Sequence, residues 1–182
     1  EVRDGSYTVT TLQPGDGAGD AGALFADGMK DYESALAREP SQIDARLGRA
    51  GANVGMGDLD RSRGEDGSAS YDSALADLEW VLISVPANHV ALVLVARVEV
   101  GRGLLAAEKG QDASDHYERA LRALDAALAI DADLGEAWGR RGGGHYLREE
   151  WKEAAADFER GAELDTTTGE EFGEMREDLR RR

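Results

Sequence analysis

The sequence contains no cysteine, only three prolines and few aromatic residues, and these shortages exclude whole classes of protein. Without cysteine there is no disulfide framework, no thiolate metal site and no cysteine nucleophile, and the compartment stays open, with the cytoplasm favoured. No apolar run reaches the roughly 18 residues of a membrane span. The most apolar stretch, residues 90–100, contains Arg97 and Glu99. The sequence therefore predicts a soluble protein without a membrane span.

Basic residues are also scarce, since 21 Lys and Arg stand against 37 Asp and Glu, a net charge of −16. A nucleic-acid-binding protein needs clustered positive charge, so this class is excluded. An acidic surface instead favours a partner with basic features. The 182 residues suit one domain or one short repeat array. The first residue is not Met, which predicts a piece of a longer protein.

What the sequence does contain is a short pattern that recurs four times. A small residue is followed four positions later by a bulky one, three later by a small or β-branched one, and five later by a residue that ends a helix. The copies are Gly28-Tyr32-Ala35-Pro40, Ala74-Leu78-Val81-Pro86, Ala120-Leu124-Ala127-Ala132 and Ala154-Phe158-Gly161-Thr166. A second apolar segment precedes each of the last three copies, so the unit is a helix pair. Repeated helix pairs predict an all-α fold, an α-solenoid of stacked antiparallel pairs.

The repeat length changes along the chain. The second and third copies are 46 residues apart, as Tyr71 and Tyr117 show, whereas the third and fourth are 34 apart, as Ala120 and Ala154 show. Polar inserts at residues 58–70 and 108–115 stand between the two helices of the longer units. The twelve extra residues form either longer helices or long loops, and the apolar residues just before the second insert favour longer helices there.

Three regions follow from this pattern. Residues 1–20 are expected to form an extended, Gly-rich tail or linker, because residues 6–13 mix β-branched and aromatic side chains and residues 14–22 are rich in glycine. Residues 21–168 form the repeat array. Residues 169–182, with Phe172, Met175 and Leu179 at helical spacing, form a helix that closes the array.

The residues resemble a tetratricopeptide repeat (TPR) array with two elongated repeats. Residues 135–168 have the family length of 34 and carry the family's marker positions at Trp138, Gly142, Trp151, Ala154, Phe158 and Gly161. The leading helix of each pair departs from the family pattern. Arg49 and Arg141 stand where the family prefers Leu, and an aromatic residue is replaced at Asn53, Glu99 and His145.

The resemblance implies a right-handed stack whose leading helices line a concave groove that binds a peptide or a protein surface. Carried over by position, the groove presents Leu47, Gly51, Val54, Val93, Arg97, Val100, Gly139, Arg140, Gly143 and Tyr146. The family's clamp for a C-terminal carboxylate is not predicted, because only Arg97, with Arg140 beside it, is a suitable cation. An apolar strip or helix fits such a groove better. The alternative is that the small residues only let neighbouring helices approach closely.

Other chemical patterns are weak. Gly17, Gly19 and Gly22 mimic a dinucleotide-binding loop, but no second strand follows. His145 and Glu149 lie four residues apart without a second ligand pair. We therefore predict no catalytic, metal-binding or cofactor-binding residue, and no cofactor.

The predicted function is a non-catalytic protein–protein interaction scaffold with a basic or apolar protein or peptide partner. Two alternatives stay open. One is a structural module that self-associates through its first unit, and the other is a regulatory domain of a larger signalling protein.

Overall fold

The computed structural model describes the backbone of residues 18–181 and the side chains of residues 21–181. This part of the chain is built from α-helices. They are α1 (Ala18–Arg38), α2 (Ile43–Ser62), α3 (Ser68–Ser84), α4 (His89–Glu108), α5 (Ser114–Ile130), α6 (Gly135–Leu147), α7 (Trp151–Leu164), α8 (Thr166–Glu171) and α9 (Gly173–Arg181). None of these helices is both long enough and apolar enough to cross a bilayer.

Consecutive helices pack against each other in pairs, and every second helix also meets its counterpart. The pairs are α2 with α3, α4 with α5 and α6 with α7. Helices α2, α4 and α6, here called the leading helices, also contact one another in order, and α6 contacts α8. The second helix of each pair, together with α1, is here called a trailing helix. This arrangement confirms the predicted all-α solenoid of stacked helix pairs.

The polar inserts lengthen the helices. Leading helices α2 and α4 have 20 residues each against 13 in α6, and trailing helices α3 and α5 have 17 against 14 in α7. The turns are two residues longer in the first two pairs, with five residues against three. These differences of seven, three and two residues account for the twelve extra residues of each long unit. Most of residues 58–70 and 108–115 are therefore helical or in a short turn.

Aromatic side chains from trailing helices pack against glycines of leading helices. The buried ring of Tyr71 in α3 lies against Gly57 of its own pair and Gly101 of the next, where a Cβ atom would come within 2.6 and 2.4 Å of the ring. Tyr117 fits over Gly103 in the same way. A buried aromatic ring contributes about 2–3 kcal/mol of hydrophobic free energy, so the glycines form part of the core despite their low helix propensity.

The same backbone geometry ends each leading helix. Gly64 and Gly110, after α2 and α4, have φ values of +75° and +67°, and Glu149 after α6 has φ of +63°. A left-handed residue after the last helical turn lets backbone amides bond back to the helix, as Glu150 N does to His145 O at 2.9 Å. Glutamate carries a Cβ in this conformation, so the third turn is strained.

The ends of the array differ in detail from expectation. Helix α1 begins at Ala18, three residues before the predicted start of the array, and residues 1–17, with the extended segment predicted at 6–13, lie outside the described residues. The predicted closing helix is two short helices, α8 and α9, which break at Phe172. The side chain of Asp165 accepts a hydrogen bond from Thr167 N at 3.0 Å and caps α8, which explains its start before residue 169.

Candidate functional site

The candidate site is the side of the array lined by α2, α4 and α6, here called the leading-helix face. Three predicted groove residues, Leu47, Val54 and Val93, are buried in the core instead. Leu47 and Val54 pack with α3 and α4, whereas Val93 packs with α5 and α6. This corrects their assignment as groove-lining side chains, because the helical periodicity that carries them to one side of the helix also places them beneath its neighbours.

Arg97 of α4 lies on this face but is already engaged. Its guanidinium donates a hydrogen bond to Asp58 of α2 at 3.2 Å, and the hydroxyl of Tyr71 donates to the other oxygen of Asp58 at 2.7 Å. Only 13% of the Arg97 side chain is exposed, against 41% for Asp58. Burial lowers the pKa of Arg97, and the nearby charge of Arg140 lowers it further, whereas Asp58 and Glu136 oppose this shift.

Arg140 of α6 continues the same line of charges. It donates to Glu136 at 2.7 Å, one turn earlier on the same helix, and forms an ion pair with Glu171 of α8 at 3.4 Å. The Arg140 side chain is 14% exposed and Glu136 is 47% exposed. Along this face the arginines therefore lie deep and the carboxylates lie outside, so the exposed charge is negative.

Tyr146 and the predicted groove glycines of the last unit lie under the C-terminal segment of the chain. The hydroxyl of Tyr146 donates to Asp178 of α9 at 2.7 Å. The ring of Phe172 lies over Gly139, at 2.7 Å from where a Cβ would stand, and stacks on Phe158 with centroids 5.3 Å apart. Helices α8 and α9 thus cover this end, whereas no described residue covers the part of the face between α2 and α6. Val100 of α4 is half-buried within that part.

Sequence reasoning missed a repeated pair of buried ions. Asp77 of α3 accepts hydrogen bonds from Arg49 at 2.7 and 2.8 Å, and Asp157 of α7 accepts from Arg141 at the same two distances. The pairs occupy identical repeat positions, and Asp77 raises the pKa of Arg49 through its hydrogen bonds. The signal was present in the sequence, because the two arginines that depart from the family pattern each have an aspartate at the matching position of the following helix.

A second pair at matching positions has its residue types exchanged between the two helices. In the α4–α5 unit Glu99 lies 2.7 Å from His116 Nδ1, and in the α6–α7 unit His145 Nδ1 lies 2.6 Å from Glu150. The hydrogen bond from His145 lowers the pKa of Glu150. His145 therefore contacts Glu150 rather than Glu149. Among the described residues no three or more carboxylate or imidazole groups converge as a metal site, and both pairs serve to join a leading helix to its trailing helix.

An open depression of about 340 Å³ lies beside the turn between α6 and α7. It forms because the long α4–α5 unit projects past the shorter α6–α7 unit. Its lining is Ala113, Ser114, Tyr117, Leu147, Arg148 and Glu149. Within the described residues, no hydrogen bond joins the Ser114 hydroxyl to the Glu149 carboxylate in this lining.

The fold has a counterpart among solved structures. The chain is similar to a thermophilic TPR protein of Thermus thermophilus, with a TM-score of 0.66 over 89% of this chain and 81% of that chain, at 18% sequence identity. No family model matches the sequence, and no curated protein matches it. At this identity the likeness establishes a TPR-like helical repeat fold.

Proposed function

We propose that this protein is a non-catalytic protein-interaction module, and that the open part of its leading-helix face binds a peptide or protein segment carrying basic and apolar side chains. The observation that carries the proposal is the layered charge of that face. Asp58 is half-exposed and Glu136 is exposed, while Arg97 and Arg140, which neutralise them from below, are almost covered. A lysine or arginine of a partner meets the carboxylates first.

The charge of the whole chain supports the same partner. A net charge of −16 attracts a basic segment from a distance and accelerates its association at low salt. The half-buried Val100 between the two charged positions adds apolar contact area for the segment. The charge attraction and the contact with Val100 both act at the surface, so binding requires no rearrangement of the helix pairs.

The test selects peptides from a random displayed library against the full chain, followed by affinity measurement with purified peptides. We expect the selected peptides to be basic and to bind more weakly as salt increases. The variant Glu136→Lys should weaken binding by about tenfold or more, because it replaces attraction by repulsion.

The chain offers a matched control. Glu118 on trailing helix α5 pairs with Arg122 four residues later, as Glu136 pairs with Arg140, and the two glutamates are similarly exposed. Glu118→Lys changes the net charge and the helix pairing equally but lies on a trailing helix. Its affinity should stay within about twofold of the parent. Equal losses in both variants would reduce the effect to net charge and would contradict a site on the leading-helix face.

A further inference from the structure

Helix α1 has the sequence of a trailing helix at the positions that pack on a leading helix. Aligned by repeat position, its residues match those of α3, α5 and α7. The matches are Phe25 with Tyr71, Tyr117 and Trp151; Gly28 with Ala74, Ala120 and Ala154; Asp31 with Asp77, Ala123 and Asp157; Tyr32 with Leu78, Leu124 and Phe158; and Ala35 with Val81, Ala127 and Gly161.

The burial of these positions differs sharply between α1 and the other trailing helices. In α3 all five are buried, and in α5 the same holds. In α1 four of them are only half-buried, and Asp31 is exposed. Phe25 and Tyr32 contact glycines of α2, on the side of the following pair. The opposite side of α1, where a leading helix of its own would lie, is not covered by any described residue.

Asp31 identifies the kind of side chain that this surface lacks. Its counterparts Asp77 and Asp157 each receive two hydrogen bonds from an arginine of the leading helix in their own pair. Asp31 has the same place on its helix but forms no hydrogen bond or ion pair with a described residue. A helix that docked as the other leading helices do would complete the pair with an arginine.

The surroundings of Asp31 add two further requirements. A Cβ atom at Gly28 would meet no atom of the described residues within 4 Å, so a side chain or a close backbone fits there. Leu24 is 72% exposed and has the repeat position of Glu150. Glu150 is hydrogen-bonded to His145, which lies four residues after Arg141 on the leading helix. An apolar residue four positions after the arginine would cover Leu24.

We propose that the outer face of α1, formed by Leu24, Gly28, Asp31 and Ala35, is a docking site for an arginine-bearing amphipathic helix of a partner protein. The helix carries an arginine that pairs with Asp31 and an apolar residue four positions later that covers Leu24. The docked helix would form with α1 a helix pair like the three pairs already present in the array. This face is separate from the leading-helix face, so the inference does not depend on the proposed function.

The probe is a fluorescent 20-residue peptide with the sequence of α2, residues 43–62, which supplies Arg49. It carries Gly48→Ala, Gly51→Ala and Gly55→Ala to raise its helicity, and Asn53→Leu to provide the apolar residue. Fluorescence anisotropy with the full chain should give a Kd in the micromolar range. A peptide that also carries Arg49→Glu should not bind.

Two variants of the full chain test the geometry. Asp31→Asn should weaken binding of the probe peptide by about tenfold, since it removes a charged hydrogen-bond acceptor. Gly28→Leu should weaken it at least as much by filling the contact. The control is Asp27→Asn, another exposed aspartate of α1, which already pairs with Lys30 at 2.7 Å, and it should leave the affinity within about twofold. Circular dichroism verifies that each variant keeps its helical content.

Absence of binding, or binding equally sensitive to Asp27→Asn and Asp31→Asn, would overturn the proposal. Sedimentation velocity of the chain alone adds a separate outcome. A mass that rises with concentration and falls to the monomer in Asp31→Asn would assign the face to a second copy of this chain and would overturn a heterologous helix as its occupant.

Discussion

Asp157 is a carboxylate almost without contact with water, and two nitrogens of Arg141 donate hydrogen bonds to it. Desolvating both ions offsets much of their attraction, so such a pair adds little net stability while the loss of one partner is costly. The chain itself contains the apolar alternative. In the α4–α5 unit the two matching positions hold Val95 and Ala123.

Asp157→Ala should destabilise the protein by about 2–3 kcal/mol, because among the described residues Arg141 then keeps a partly buried charge with the exposed Asp125 as its one remaining carboxylate partner. The double variant Arg141→Val with Asp157→Ala copies the middle unit and should return to within about 1 kcal/mol of the parent. Urea unfolding measures both values.

Asp125→Ala is the control for this experiment, since the exposed carboxylate should contribute less than about 0.5 kcal/mol. A double variant that is less stable than Asp157→Ala would contradict the account, because it would mean that the ion pair itself holds the helices together.

Glu149 is the second residue whose effect on the stability of the protein can be measured. Its φ of +63° is that of Gly64 and Gly110 in the other two turns, so Glu149→Gly should stabilise the protein by about 1 kcal/mol by removing the strain of the Cβ. The reciprocal change Gly110→Ala should destabilise by a similar amount. Thermal unfolding followed by circular dichroism detects both, and a destabilised Glu149→Gly would show that its side chain has another role.

At the scale of the helices, the glycines of the leading helices fall into two groups: those that lie against an aromatic ring and those whose Cβ position is open. Gly101 lies beneath the ring of Tyr71, whereas a Cβ at Gly51 would meet no atom of the described part of the chain within 4 Å. Gly101→Ala should therefore cost about 2 kcal/mol by forcing Tyr71 out of its place. Gly51→Ala should gain up to about 1 kcal/mol from helix propensity alone.

Chemical denaturation of these two variants distinguishes packing from propensity, because a propensity effect alone gives both the same sign. Stabilisation by Gly101→Ala would contradict the packing of the Tyr71 ring against Gly101 of α4.

The helices themselves could be predicted closely, because apolar periodicity and the recurring pattern mark each element. Three residues of the fourth copy of the pattern, Ala154, Phe158 and Gly161, lie in α7, and the lengthened helices were one of two expectations for the inserts. The break between α8 and α9 was not predicted, because the stacking of Phe172 at the break on Phe158 of α7 is a tertiary contact that helical spacing does not encode. Local spacing of Phe172, Met175 and Leu179 is also that of one continuous helix.

At the scale of the whole molecule, the order of leading and trailing helices followed from the repeat order, but the side chains that lie at the surface of the leading helices did not. Arg97 lies in α4 and Arg140 in α6, and both are mostly covered by their neighbours. The repeat pattern does not say which side chain at a position lies beneath its neighbours, so Leu47 and Val54 were assigned to the surface. The contact of Tyr146 with Asp178 also requires the path of α9, which no local pattern encodes.

The acidic charge of the chain and the stacking of its helix pairs together predict how the proposed partner lies on the array. On the leading-helix face, the carboxylates of Asp58 and Glu136 reach solvent beside the half-buried Val100 of α4. The proposed partner therefore lies across several units at once, and each unit contributes a small part of the affinity.

The most direct measurement is an amide ¹H–¹⁵N correlation spectrum of the full chain titrated with a library-selected basic peptide. The account predicts that shifts concentrate in α2, α4 and α6, around Asp58, Arg97 and Glu136, and that the spectrum of Glu136→Lys barely responds to the same peptide. Shifts that concentrate in trailing helices α3, α5 and α7, with the leading helices unchanged, would contradict it.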